Sequence, residues 1–215
     1  VPGWQGLTFD GSYDNCVVKI HTDAGLTGIG EVDSVPSVIH AIIEAQRSHS
    51  HAMGLKSVLL GRDPSDVEAL WDEMYDATSY YGRRGAVIHA ISAVEMALWD
   101  LCGKAVDKPV HELLGGATRE TITPYASLQP AGNSFEQYRE ALCASAEGAK
   151  NLGFRAMKTE ITMNGPYAHG GMRESYDRHT EVLAAIRRTV GPDITLMVDV
   201  QYLWEDAETC LSVVK

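Results

Sequence analysis

Cysteine is scarce in this sequence and never occurs in a short paired motif. The chain has 215 residues, and its four cysteines are widely separated: Cys16, Cys102, Cys143 and Cys210. A disulfide framework or a cysteine-ligated zinc site needs closely spaced cysteines, so neither is expected. We expect four small hydrophobic side chains in a reducing compartment, and therefore a cytoplasmic protein.

Long hydrophobic runs and targeting signals are lacking as well. No stretch of about 18 consecutive apolar residues occurs, so we expect no membrane span. The opening residues, VPGWQGLTFDG, contain neither a basic segment nor an apolar one. They therefore do not resemble a secretion signal.

Basic residues are fewer than acidic residues. The chain has 18 Lys and Arg against 29 Asp and Glu, a formal net charge of −11. Nucleic acids and anionic membranes are polyanions, so we expect neither as a partner. A small anionic substrate stays compatible with this charge, because a local cationic site and a metal ion can outweigh the global field.

The first half of the sequence predicts a hairpin followed by helices. Two alternating β-branched runs in NCVVKIHTDAGLTGIGEVD flank a turn that contains Gly25. An isolated hairpin is marginally stable, so we expect a third strand before Val1. A helix is predicted from about Pro36 to Ala45. Another helix is predicted to begin with Asp63 as N-cap and Pro64 at its first position.

The most regular helical pattern lies in GAVIHAISAVEMALWDLCGKAVDKPVHELLGG. Its apolar residues recur on one helical face, and Pro109 followed by Gly115 and Gly116 marks its end. From Thr121 the pattern changes to strands that alternate with helices. The strands are predicted in TITPYASLQ, FRAMKTE and DITLMVDVQ, which indicates βαβ units and a parallel sheet.

Polar side chains stand at the carboxyl end of each predicted strand. Side chains alternate along a strand, so Lys158 and Glu160 share one face, as do Asp199 and Gln201. Ser127 occupies the corresponding face of the first strand. Because active sites of parallel barrels form at the carboxyl ends of strands, we expect these groups to line one polar pocket.

The residues alone leave more than one role open for each group. Asp199 is a hard oxygen ligand suited to Mg²⁺ or Mn²⁺, or equally a capping residue for the helix after Trp204. Lys158 can hold a substrate carboxylate or act as a base if desolvated, or it forms an ion pair with Glu160. Glu160 is then a base, a metal ligand or only the counter-charge of that lysine.

Four stretches resemble one known family. They are GLTGIGEV, AISAVEMALWDLCGKAVDKPVHELLGG, GFRAMKTE and LMVDVQ, and the second is long and ungapped. Over nearly its whole length the chain resembles the mandelate racemase and muconate lactonizing branch of the enolase superfamily. The resemblance implies an α+β capping domain over residues 1–116. It also implies an incomplete (β/α) TIM-type barrel (α/β), with its first three βα units over residues 117–215.

The resemblance also implies a chemistry and a set of roles. The reaction begins with proton abstraction beside a carboxylate bound to Mg²⁺ (or Mn²⁺), and an enediolate follows. Asp199 falls on the first magnesium ligand, and Lys158 on the first lysine of a KxK motif that neutralises the substrate carboxylate. Ser127 falls where some members contact that carboxylate. Trp4 and Tyr13 fall on the loop that closes over the substrate.

Two departures from the family pattern shape the expected reaction. Glu160 replaces the second motif lysine, and Gln201 replaces an asparagine. A racemase needs a base on each face of the α-carbon, so we expect a lyase that dehydrates an acid sugar, with Glu160 as an auxiliary acid or base. His169, in the insertion TMNGPYAHGGMRES, is expected to contact a polyhydroxylated substrate, or it lies in a solvated loop. Gln201 is expected to contact the substrate too.

Two further hypotheses stay open: a racemase or cycloisomerase of the same branch, and a non-catalytic member. Three strands cannot close a barrel that takes roughly 250 residues. We therefore expect the remaining metal ligands and a histidine–aspartate pair outside this chain, and the 215-residue portion alone to be inactive. Its expected partners are a small carboxylate substrate and further copies of itself in a homo-oligomer.

Overall fold

The computed structural model describes residues 15–165, 168–204 and 206–214. These residues fall into two compact units, one ending at Thr118 and the other beginning at Arg119. We call them the N-terminal unit and the C-terminal unit.

The N-terminal unit begins with the predicted hairpin. Strands β1 (Cys16–His21) and β2 (Thr27–Val32) pair antiparallel, with Cys16 opposite Val32 and His21 opposite Thr27. Gly25 has φ 80°, a conformation that costs least for glycine. The hairpin prediction is therefore confirmed.

Five helices follow the hairpin: α1 (Pro36–Glu44), α2 (Leu55–Leu59), α3 (Val67–Thr78), α4 (Ala86–Val106) and α5 (Val110–Leu113). The predicted N-cap of α3 is wrong, because the helix starts after Asp66 and not after Asp63. Asp63 Oδ1 instead accepts hydrogen bonds from the backbone N and the Oγ of Ser65, at 2.9 and 2.8 Å. This local turn competes with helix formation, as short acidic side chains often do.

Helix α4 is the centre of the N-terminal unit. Its residues Ile91, Val94 and Leu98 are at most 2% exposed. Strand β2 packs so closely on α4 that a Cβ built on Gly30 would lie 1.8 Å from the carbonyl oxygen of Ala93. By length and composition α4 is apolar enough to cross a membrane, but half of its most apolar window is buried within the unit. Such burial is typical of a helix at the centre of a folded core.

The C-terminal unit alternates strands and helices as predicted. Its elements are β3 (Tyr125–Leu128), α6 (Phe135–Asn151), β4 (Ala156–Glu160), a 3-10 turn (His169–Gly171), α7 (Tyr176–Val190), β5 (Thr195–Asp199) and α8 (Ala207–Val214). The three strands form a parallel sheet in the order β3-β4-β5. Ser134 caps α6 by accepting a hydrogen bond from the backbone N of Gln137.

The two faces of this sheet differ in burial. Leu128, Met157 and Thr159 point to the helices and are almost completely buried. Lys158 and Glu160, on the other face, are half-buried. Strand β5 ends earlier than predicted, at Asp199, because the chain turns through left-handed conformations at Gln201 and Tyr202, with φ 39° and 58°. All four cysteines are free and half-buried.

Candidate active site at the strand ends

Strand register places the predicted site residues in two neighbouring rows. Ser127 of β3 lies opposite Lys158 of β4. Glu160 of β4 lies opposite Asp199, the last residue of β5. Since side chains two apart on a strand share a face, these four residues occupy one side of the sheet near its carboxyl edge.

Lys158 and Asp199 form a direct ion pair. Lys158 Nζ donates to Asp199 Oδ2 at 2.9 Å, and the side chains are 26% and 35% exposed. This hydrogen bond lowers the pKa of Asp199 and raises the pKa of Lys158. Glu160 adds only the weakest of the Coulombic effects on Lys158, so the lysine's direct partner is Asp199 and not Glu160. A lysine with a raised pKa stays cationic, which suits charge stabilisation better than proton abstraction.

The second oxygen of Asp199 is engaged locally. Oδ1 accepts a hydrogen bond from the backbone N of Gln201 at 3.1 Å, which helps to hold the turn after β5. The alternative role, capping the helix after Trp204, is wrong. At the start of α8 it is Asp206 whose Oδ1 accepts from the backbone N of Thr209, at 2.7 Å. Asp199 therefore faces the sheet surface beside Lys158.

Tyr125, two residues before Ser127 on β3, adds an aromatic ring to this site. The Nζ of Lys158 lies 5.7 Å from the centre of the Tyr125 ring. A cation at this distance is attracted by the negative face of the ring. Tyr125 and Asp199 thus hold the ammonium group from two strands.

Tyr138 of α6 fixes the end of β4. Its hydroxyl donates to the carbonyl oxygen of Glu160 at 2.8 Å and accepts from the backbone N of Thr162 at 3.1 Å. The side chain is completely buried, and burial raises the pKa of the phenol, which keeps it neutral. Helical spacing marks Tyr138 as a core residue, but no sequence signal indicates where its hydroxyl binds.

His169 lies in the loop after β4 and joins two loops of the C-terminal unit. Its Nε2 donates to the carbonyl oxygen of Gly132 at 2.8 Å. Its backbone N donates to the carbonyl oxygen of Thr162 at 2.6 Å. The ring lies 5.8 Å from that of Tyr138. A contact between His169 and substrate stays a prediction.

Four predicted site residues remain: Ser127, Gln201, Trp4 and Tyr13. Ser127 is exposed on β3, and Gln201 lies beyond the end of β5. Trp4 and Tyr13 lie outside the described residues.

The donor chemistry of the site suits a hard cation. Glu160 and Asp199 supply carboxylates from neighbouring strands, and carboxylate oxygens are the ligands that Mg²⁺ prefers. Within residues 15–165, 168–204 and 206–214, no group of three or more His, Cys, Asp or Glu side chains is gathered to hold a metal ion. The described chain thus offers part of a ligand set, in Asp199 and Glu160.

Comparisons with known proteins identify the family that the chain resembles. Residues 11–115 match the family model described as "Mandelate racemase / muconate lactonizing enzyme, N-terminal domain". The L-rhamnonate dehydratase of Saccharopolyspora erythraea is 36% identical over 183 residues, which is 85% of this chain and 40% of that protein. The arabinonate dehydratase of Saccharolobus solfataricus is 33% identical over 193 residues, 88% of this chain and 46% of that protein.

A solved structure extends the likeness across both units. The crystal structure of a racemase from Streptomyces coelicolor A3(2) with bound magnesium matches with a TM-score of 0.74 and 26% identity. The match covers 94% of this chain and 54% of that one. The chain spans less than half the length of the curated relatives described above.

Proposed function

Because residues 11–115 belong to the mandelate racemase / muconate lactonizing enzyme N-terminal domain family, we propose that the whole protein is an enolase-superfamily lyase that dehydrates an acid sugar. Residues 1–116 form its capping domain, and residues 117–215 contribute the first three βα units of a TIM-type barrel. The relatives named as L-rhamnonate and arabinonate dehydratases support this substrate class.

The observation that carries the proposal is the Lys158–Asp199 pair, 2.9 Å apart at the ends of adjacent parallel strands. The α-proton of a carboxylate is a very weak acid, because its removal places a second negative charge on the substrate. A cation fixed beside that charge before the reaction lowers the barrier. Lys158, held by Asp199 and by the Tyr125 ring, is such a cation.

Asp199 would hold the magnesium ion, which when bound supplies Lewis-acid stabilisation of the substrate carboxylate. Ser127, beside Lys158 in the sheet, orients the same carboxylate. Dehydration also needs a group that gives a proton to the departing hydroxyl. We assign this role to Glu160 as the auxiliary acid: its protonated carboxyl gives the proton to the departing hydroxyl and is left as a carboxylate, while the Tyr138 hydroxyl fixes the backbone at the end of β4.

The remaining predicted contacts serve the polyhydroxylated part of the substrate. Gln201 and His169 flank the carboxyl ends of the strands from two loops. We assign them, with Trp4 and Tyr13, to substrate binding. We assign the whole protein to the cytoplasm. We also assign it a homo-oligomeric state, which light scattering of the purified protein would test.

Isomerisation within the same branch is the second candidate. It is favoured by the likeness to a racemase solved with magnesium. Racemisation needs one base on each face of the α-carbon. Glu160, which stands where the family's second lysine would, is the residue that decides between the two reactions.

The test is a screen of the full-length protein against acid sugars with Mg²⁺, reading 2-keto product. Product formation supports the dehydratase. Exchange of the α-proton in deuterated water without product supports the isomerase. The absence of both activities supports a non-catalytic member. Lys158→Met is expected to abolish turnover. Lys150→Met, which changes an exposed lysine of α6, is the matched control. Residues 1–215 alone are expected to give no product.

A further inference from the structure

The loop between α3 and α4 (residues 79–85) is held tightly to the body of the N-terminal unit. The backbone N of Tyr80 donates to the carbonyl oxygen of His51 at 3.1 Å. The Tyr81 hydroxyl donates to the carbonyl oxygen of Met53 at 2.8 Å. A Cβ on Gly82 would lie 2.1 Å from the Val87 side chain, so the loop closes against the first turn of α4. Its side chains therefore project from a fixed backbone.

This α3–α4 loop borders a depression of about 630 Å³. Its lining residues are tyrosines, arginines and small residues, and none of those described is acidic. Tyr80 presents 78% of its surface, and its ring meets His49 edge-to-face at 4.8 Å. The depression thus combines aromatic surface with positive charge.

Arg83 and Arg84 carry the positive charge of this surface. Both are exposed, and neither forms an ion pair or a hydrogen bond with any residue that the structure describes. In the same unit the guanidinium of Arg62 is held by Glu73 in a two-pronged contact. A chain with net charge −11 offers many carboxylates, so two adjacent arginines that contact none are left available for an external anion.

The start of α4 adds to the positive potential at this place. Its N-cap, Gly85, provides no side-chain hydrogen bond to the first turn, and that turn has no acidic residue. The amino end of a 21-residue helix carries a partial positive charge. Guanidinium groups present a planar fork of donors that matches carboxylate and phosphate oxygens.

We propose that the α3–α4 loop is a binding site for a small oxyanion, a carboxylate or a phosphate, held by Arg83 and Arg84 and flanked by the Tyr80 ring. The site lies within the N-terminal unit and does not depend on the dehydration chemistry proposed for the C-terminal unit. Its ligand is therefore a second small anion, either a product-like acid or a phosphorylated metabolite.

The test is calorimetric titration of the full-length protein with inorganic phosphate and, separately, with gluconate. Saturable binding of either anion is expected. The anion that binds shows whether the site takes a phosphate or a carboxylate. The double variant Arg83→Gln/Arg84→Gln is expected to bind at least about tenfold more weakly, because charge-assisted hydrogen bonds are lost.

Arg62→Gln is the matched control, since it removes an arginine of the same unit that already has a carboxylate partner. It is expected to leave anion binding unchanged. Equal affinity in the wild type and the double variant would overturn the proposal, as would the absence of saturable binding of both anions. Gluconate bound at the strand-end site would persist in the double variant, so only the binding that Arg83→Gln/Arg84→Gln removes is assigned to the α3–α4 loop, whether or not the dehydratase proposal holds.

Discussion

The two units of this chain use polar groups in opposite ways. In the N-terminal unit, apolar side chains surround α4, and the ion pairs, such as Lys56 with Glu44, stay at the surface. In the part of the C-terminal unit that the structure describes, helices cover one face of the sheet, and the other face carries the half-buried Lys158–Asp199 pair. Both units pack an apolar core, and the second adds an ion pair between adjacent strand ends.

Unpartnered polar atoms sharpen this contrast. Among the described residues, the buried side-chain polar atoms without a hydrogen bond belong to Thr159, His179 and Trp204, all in the C-terminal unit. Buried polar groups normally find partners, and exceptions are often associated with function. The first unit therefore identifies the family, whereas the candidate catalytic side chains lie in the second unit.

The largest effect is expected from Asp199→Asn in the full-length protein. The change keeps the shape of the side chain but removes the negative charge that pairs with Lys158 and would bind magnesium. Turnover should fall by about 10³-fold or more, since preorganised electrostatic stabilisation is lost. Magnesium affinity, measured by calorimetry, should fall with it. Asp206→Asn, at the start of α8, is the control. Unchanged magnesium affinity in Asp199→Asn would refute the ligand assignment.

Gly30→Ala is expected to be the most destabilising small change in the N-terminal unit. The added Cβ would lie 1.8 Å from a backbone oxygen of α4, which cannot move without disturbing the core. We expect a loss of about 3 kcal/mol in the free energy of unfolding, measured with urea. Gly148→Ala, in α6 of the other unit, meets nothing within 4 Å. It should stabilise the protein by about 0.5–1 kcal/mol, as helical alanine does. Equal effects of the two changes would break the comparison.

Tyr138→Phe tests whether the hydroxyl matters apart from the ring. It leaves the carbonyl of Glu160 and the buried backbone N–H of Thr162 without their partner. The free energy of unfolding should fall by about 1–3 kcal/mol. Tyr81→Phe, in the N-terminal unit, removes a similar 2.8 Å bond from a half-exposed phenol. Water can replace that bond, so a smaller cost is expected, and a larger one would contradict the contrast between the units.

The sequence predicts the elements better than the contacts of their side chains. Alternation and helical spacing act over a few residues, so the hairpin, α4 and the three parallel strands are predictable. The ion-pair partner of Lys158 is not predictable, because it depends on how β5 is aligned beside β4. That alignment places Asp199 2.9 Å from the Lys158 ammonium group, and the described structure shows no ion pair between Lys158 and Glu160 on the same strand. The start of α3 was misplaced because Asp63 bonds to Ser65 instead of to a helical N–H. The contacts of the Tyr138 hydroxyl are not predictable either, because its partners Glu160 and Thr162 lie 22 and 24 residues away along the chain.

The smallest expected effect is a pH dependence of stability that arises from a buried histidine of the C-terminal unit. His179 on α7 is buried beside the Tyr176 ring, and burial lowers its pKa below the ordinary value of 6.5. The unfolded chain therefore takes up a proton at a higher pH than the folded chain does, so stability is lost as the pH falls below about 6.5. His179→Phe should flatten this dependence in urea unfolding measured between about pH 5 and 8. If the wild type and His179→Phe show the same pH dependence of unfolding, the acid sensitivity does not arise from the buried histidine, and the electrostatic distinction between the units loses its support at this position.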